Sequence, residues 1–93
     1  MPGGLGEAEI LRLELAASLA ETLLARPAGA TVAHDLLAPM LKVERSLPMD
    51  RATARALIAL GDASVRTGRD ALAAGSYGRA IRVMSLLRQE LER

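Results

Sequence analysis

Apolar positions recur along this chain at close to helical spacing, in blocks separated by proline and glycine. The first block predicts a helix from about Glu7 to Arg26. At about 100° per residue, Ile10, Leu13, Ala17, Ala20 and Leu24 form one stripe, with Leu15, Leu19 and Leu23 beside it. Together they cover an arc of about 200°, against the roughly 100° of an ordinary surface helix. One neighbour leaves part of such an arc bare. Either this helix is central in a bundle, or part of its face meets another chain. Glu7 and Glu9 suit the positive end of the helix dipole. Pro27 and Gly29 end the helix. Residues 1–6, with Pro2 and three glycines, are expected to be a flexible lead-in.

Thr31 is the expected cap of a shorter second helix. Pro39 removes a backbone donor, so a kink or a break is expected near Ala38, with Pro39 opening the following turn. Met40, Leu41, Val43 and Leu47 continue the apolar pattern to Pro48. Asp50 then caps a long third helix, expected from about Arg51 to Ala74. Its polar side collects Arg51, Arg55, Asp62, Arg66 and Arg69. Its apolar side carries Ala54, Leu57, Ile58, Leu60, Val65 and Leu72. Gly61 and Gly68 align with Ala54 on that apolar side. A glycine costs a helix about 1 kcal/mol relative to alanine, a loss with a return only where another backbone comes close. Ala54, Gly61 and Gly68 therefore predict a shallow track for a crossing helix. Gly75 and Ser76 are the expected turn before a fourth helix, from about Tyr77 to Glu92. There Tyr77, Ala80, Ile81, Met84, Leu87 and Leu91 make the inward stripe, and Val83 and Leu86 point away from it.

The stretch "ALAAGSYGRAIRVMSLL" resembles a tetratricopeptide repeat over about residues 64–91. That family pairs two antiparallel helices with small residues at their crossing and opens the second helix on Gly-x-Tyr. Gly68 matches the small residue of the first helix, Gly75 and Tyr77 the turn glycine and following tyrosine, and Ala80 the small residue of the second helix. Ser64 stands where a large aromatic is usual, and no second copy of about 34 residues precedes it. The resemblance implies one repeat-like hairpin rather than an array, and close helix crossing as the purpose of the small residues.

Composition agrees with helices. The 93 residues are half apolar, mainly alanine and leucine, with Tyr77 the sole aromatic and few β-branched residues. Sheets want more of the latter. The expected fold is all-α, a small antiparallel bundle of about four helices in a single domain. Residues 7–47 form its N-terminal helices and 50–92 the repeat-like hairpin. A chain this short buries only roughly 60–65% of its unfolded surface, so added burial against a partner is worth a good deal to it.

Candidate chemistry is sparse. No cysteine is present, which removes disulfides and cysteine-based metal sites. His34, the single histidine, adjoins Asp35 but has no nucleophile or second histidine at helical spacing. Glu7, Glu14 and Glu21 recur every seven residues on a polar face and lack the Glu-x-x-His pairs of a di-metal site. No catalytic, cofactor or metal site is expected, and the chain is not read as an enzyme. The N-terminus lacks a basic leader, and the longest apolar run is Ala56 to Leu60, far short of a membrane span. A cytoplasmic protein is expected.

Charge changes the picture slightly. Residues 1–50 carry four basic and seven acidic groups, and residues 51–82 six and two. Arg51, Arg55, Arg66 and Arg69 could form a face for an anionic partner. For nucleic acid, however, Asp62 and Asp70 interrupt the face, and stacking aromatics are missing. The leading expectation is a protein-interaction module: an adaptor, assembly factor or secretion-type chaperone, with Leu15, Leu19, Val83 and Leu86 at the contact. The partner is another protein or a second copy of the chain, and self-assembly would make it a structural subunit.

Overall fold

The computed structural model describes residues 2–42 and 46–92, with side chains from residue 7 onward. It is all-α, with helices α1 (Pro2–Leu24), α2 (Ala30–Leu37), α3 (Arg51–Arg66) and α4 (Asp70–Leu91). No strand occurs among the described residues. Val43, expected to continue the apolar pattern, lies outside them.

Helix α1 opens at Pro2 rather than at Glu7. Proline fits a first helical position, where its missing N–H would have no intrahelical partner anyway. Glu7 and Glu9 thus stand beyond the first turn. The inward face of α1 is Leu13, Ala16, Ala17 and Ala20, all buried, with Ile10, Leu23 and Leu24 partly covered.

The turn into α2 is tight. A side chain on Gly29 would drive its Cβ into the Leu23 carbonyl group. Gly29, and not Thr31, stands at the N-cap of α2, its carbonyl accepting from the Ala33 amide at 2.9 Å, and Thr31 lies inside the helix with its side chain exposed. Helix α2 stops at Leu37, as Pro39 requires. The Ala38 amide still donates to the His34 carbonyl at 2.9 Å, and those of Met40 and Leu41 then turn back to Leu37.

Asp50 caps α3 as expected, accepting from the Ala52 amide at 2.9 Å. Each of the other helices touches α3. It is buried accordingly along most of its length, largely on alanine, with Leu57 and Leu60 as its large core side chains. Leu13, Leu37 and Leu41 complete the set of large buried leucines. Burying each stabilises the fold by roughly 1.5–3 kcal/mol.

The end of α3 differs from expectation. The helix stops at Arg66, not Ala74, and Gly68 takes φ 78°. The Arg69 amide donates to the Ser64 carbonyl at 2.7 Å, and the Gly68 amide to that of Val65 at 3.1 Å. This is the Schellman arrangement, in which a left-handed glycine lets two amides satisfy the last free carbonyls. Gly68 is therefore the turn residue. Gly75, expected to hold the turn, is in mid-helix, and α4 runs unbroken from Asp70 to Leu91.

Helices α3 and α4 form an antiparallel hairpin, and among the helices α4 rests on α3 alone. Its buried residues are small: Ala73, Ser76 and Ala80. Small side chains let the two axes approach. The helix therefore turns its small residues inward, with Val83 packed against the core. Ile81, Met84 and Leu91, expected inward, are exposed instead. On α3 the same rotation leaves Ile58 and Val65 exposed, and Leu72 of α4 is exposed as well.

Candidate interaction surface

The residues expected to carry the helix crossing separate into two groups. Ala54, Gly61 and Ala80 are buried between α3 and α4, and Tyr77 lies directly over Gly61. The Tyr77 hydroxyl donates to Asp62 Oδ1 at 2.5 Å. That bond, then burial, then the nearby carboxylate charge push the phenol up to about 12. Gly68 is no part of the crossing: it is exposed in the turn.

Of the expected contact residues, Leu15 and Leu19 are 64% and 51% exposed, and Leu11 joins them one turn earlier. At intervals of four they form a row along one side of α1. Glu7, Glu14 and Glu21 are exposed along the same helix. Leu86 is exposed, near Met49. Val83, expected to point away, is instead half-covered by the core. Leu15 and Leu19 therefore stand together on one helix, while Val83 and Leu86 belong to another and do not join them.

A second apolar surface follows the α3–α4 seam. Spacing alone does not reveal it, because the helical wheel puts its members inside. Ile81 and Met84 are 64% and 52% exposed. Three shallow recesses, of about 410, 160 and 210 Å³, meet at Met84. Ala54, Ile58, Ile81, Leu87 and Leu91 supply the rest of their apolar lining. The charged side chains lining these recesses are Arg51, Arg55 and Arg88.

The arginine face expected on α3 is divided by the fold. Arg66 donates to the carbonyls of Leu24 and, at 3.0 Å, Arg26. Those carbonyls lie at the end of α1, where the helix dipole favours a cation. Arg55 donates to Glu21 Oε1 at 2.7 Å and to Ser18 Oγ at 3.4 Å. The bond to Glu21 raises the pKa of Arg55 above its ordinary value, with burial opposing. Arg51 and Arg69 are exposed. Arg79 performs a similar task elsewhere, donating to the Leu41 carbonyl at 2.5 Å beyond α2. Arg66 and Arg79 thus tie backbone segments together, a role for which the guanidinium's fork of donors suits it.

His34 Nδ1 and Asp35 Oδ1 are 3.0 Å apart, beside a shallow recess that Ala38, Pro39 and Lys42 also line. No hydroxyl or thiol side chain lines that recess. Among the described residues no group of three histidine or acidic side chains converges as metal ligands would. No helix there is long and apolar enough to cross a membrane. No protein-family profile, curated protein or solved structure matches this chain.

Proposed function

We propose that this chain is a non-enzymatic protein-interaction module, an adaptor, assembly factor or secretion-type chaperone, that works by packing helices against a partner polypeptide. The observation that carries the proposal is the leucine row of α1. Leu11, Leu15 and Leu19 stay exposed although the same helix supplies the core with Leu13 and Ala17. Scattered exposed leucines are ordinary, but a row on one helical face is the form in which helix-on-helix recognition presents its anchors. The likeness of the hairpin to a tetratricopeptide unit belongs to the same proposal, resting now on the paired helices with Tyr77 and Ala80 and no longer on Gly68 and Gly75, since that fold is used mainly to hold proteins. So does a cytoplasmic location, with which a cysteine-free chain is compatible.

A second copy of the chain is the alternative occupant of the α1 row, which would make the protein a self-assembling subunit. The nucleic-acid reading draws less support, because Arg55 and Arg66 are engaged with α1. The test compares the wild type with a Leu15→Asp, Leu19→Asp variant. Both sites are exposed, so stability should change by no more than about 0.5 kcal/mol per site. Capture from the native cell and light scattering are the readouts. A protein retained by the wild type and lost by the variant supports the module, and a dimer broken by the variant supports self-assembly. A monomer that retains no protein and binds little apolar dye overturns both.

A further inference from the structure

We infer that the seam between α3 and α4, centred on Met84, is a docking groove for an amphipathic partner helix whose apolar row is flanked by carboxylates. This deepens the interaction-module reading and rests on it, but it uses a different face from the leucine row of α1.

The large apolar side chains at the centre of the groove are ones the fold leaves outside. Ile81, Met84 and Leu91 are exposed because α4 turns Ala73, Ser76 and Ala80 toward α3. Ile58 faces the same seam from α3, across from Met84. From Ile81 to Leu91 the helix rises about 15 Å, room for roughly three turns of a docked helix. Such a helix would meet the floor through residues spaced i, i+3 or i+4, and i+7. Met84 is well suited to the centre, since its unbranched thioether adapts to the surface laid on it.

The rim sets the chemistry of the occupant. Each charged side chain lining the three recesses is an arginine, and no carboxylate lines them. Arg51 and Arg55 stand on the α3 side and Arg88 on the α4 side. Two of them already pair with a carboxylate that lies outside the recess lining. Arg55 meets Glu21 at 2.7 Å, and Arg88 meets Glu92 at 3.9 Å. A guanidinium has five donors, so each keeps donors for a further carboxylate. An apolar floor between arginine banks selects an acidic amphipathic helix. It disfavours a second copy seated groove on groove, because a two-fold axis there would gather the arginines of both copies. It also disfavours a polynucleotide, which offers phosphate but no apolar row, and for which the groove has no stacking aromatic in its lining.

The test uses the full chain and two fluorescent synthetic helical peptides with the same leucine row, one flanked by glutamate and the other by lysine. Anisotropy should show the glutamate peptide binding at least about tenfold more tightly. Met84→Asp should abolish that binding. Arg51→Glu with Arg88→Glu should reverse the preference, so that the lysine peptide becomes the ligand. All three sites are exposed, and unchanged circular dichroism would show that the variants fold. Equal binding of both peptides, or binding of neither, overturns the inference. So does a dimer in light scattering that Met84→Asp dissolves, since a second copy would then own the groove. If the peptides fail while capture of a native partner still depends on Leu15 and Leu19, the groove falls and the module stands.

Discussion

The phenol ring of Tyr77 occupies the place that a side chain on Gly61 would take. A Cβ built there would lie 2.5 Å from Cε1 and 2.8 Å from Cδ1 and Cζ of that ring. Three ring atoms are involved, so no simple rotation of a flexible tip relieves the clash. Alanine is the better helix former by about 1 kcal/mol, yet Gly61→Ala should destabilise the fold by about 1–3 kcal/mol through overpacking. Chemical denaturation measures this. Tyr77→Ala should cancel most of the penalty in the double variant, because the residues touch and their effects are not additive.

The remaining glycines of the hairpin should respond in opposite directions. Gly68 has φ 78°, and nothing lies within 4 Å of the point a Cβ would occupy, so space is no obstacle there. Backbone conformation is: Gly68→Ala should cost about 1–2 kcal/mol. Gly75 and Gly78 sit in α4, also with open space around them and without a positive φ. Gly75→Ala and Gly78→Ala should each stabilise by about 0.5–1 kcal/mol. Thermal unfolding of the three single variants separates a turn glycine from helical ones. A loss at Gly75 like that at Gly68 would return the turn to Gly75-Ser76.

The bundle is readable from the chain because its signals are local. Pro39, Asp50 and the run of small and large apolar residues fix where α2 ends and α3 begins. The turn of the hairpin is not, because two glycines, Gly68 and Gly75, each satisfy the same local rule, and only long-range packing chooses between them. Here α4 needs Ala73, Ser76 and Ala80 against α3, and that demands a turn before Asp70. The same packing hides the groove. A helical wheel weights bulk and so puts Ile81 and Met84 inside. The hairpin instead brings its smallest residues together, with Gly61 under Tyr77, and the bulky ones are left at the seam. The exposure of Leu15 and Leu19 is legible in sequence because the arc of α1 exceeds what any one neighbour covers.

Thr53 offers a test of the core. Its side chain is fully buried in α3, and its hydroxyl has no hydrogen-bond partner among the described residues. A buried hydroxyl without a partner carries a desolvation cost, and a methyl group in its place carries none. Thr53→Val keeps the shape closely and should leave the fold as stable or raise it by about 1 kcal/mol. Urea denaturation reads the change from the midpoint at constant slope. A loss above about 1 kcal/mol would mean that the hydroxyl does make a bond.

Alkaline pH should weaken the hairpin through one group. The Tyr77 hydroxyl donates to Asp62, and the phenol is raised from its ordinary 10.0 to about 12. The neutral, donating form is thus the one the fold favours. Between those two values the unfolded chain has already released the proton that the folded chain keeps, so the unfolded state binds fewer protons and stability falls as pH rises. The contribution is complete below about pH 10 and is lost as pH passes through about 12. Few other groups cloud this window: Tyr77 is the only tyrosine, Lys42 the only lysine, and there is no cysteine. Denaturation midpoints at pH 9, 10, 11 and 12 should therefore decline for the wild type. Tyr77→Phe, which keeps the ring over Gly61, should start lower by about 1 kcal/mol for the missing bond. It should then run flatter across the same range. Ultraviolet absorbance of the phenolate follows the proton itself. A wild-type titration centred near 10 would show that Asp62 does not hold the hydroxyl in solution, whereas a shift back toward 10 in Asp62→Asn would identify the carboxylate as the cause.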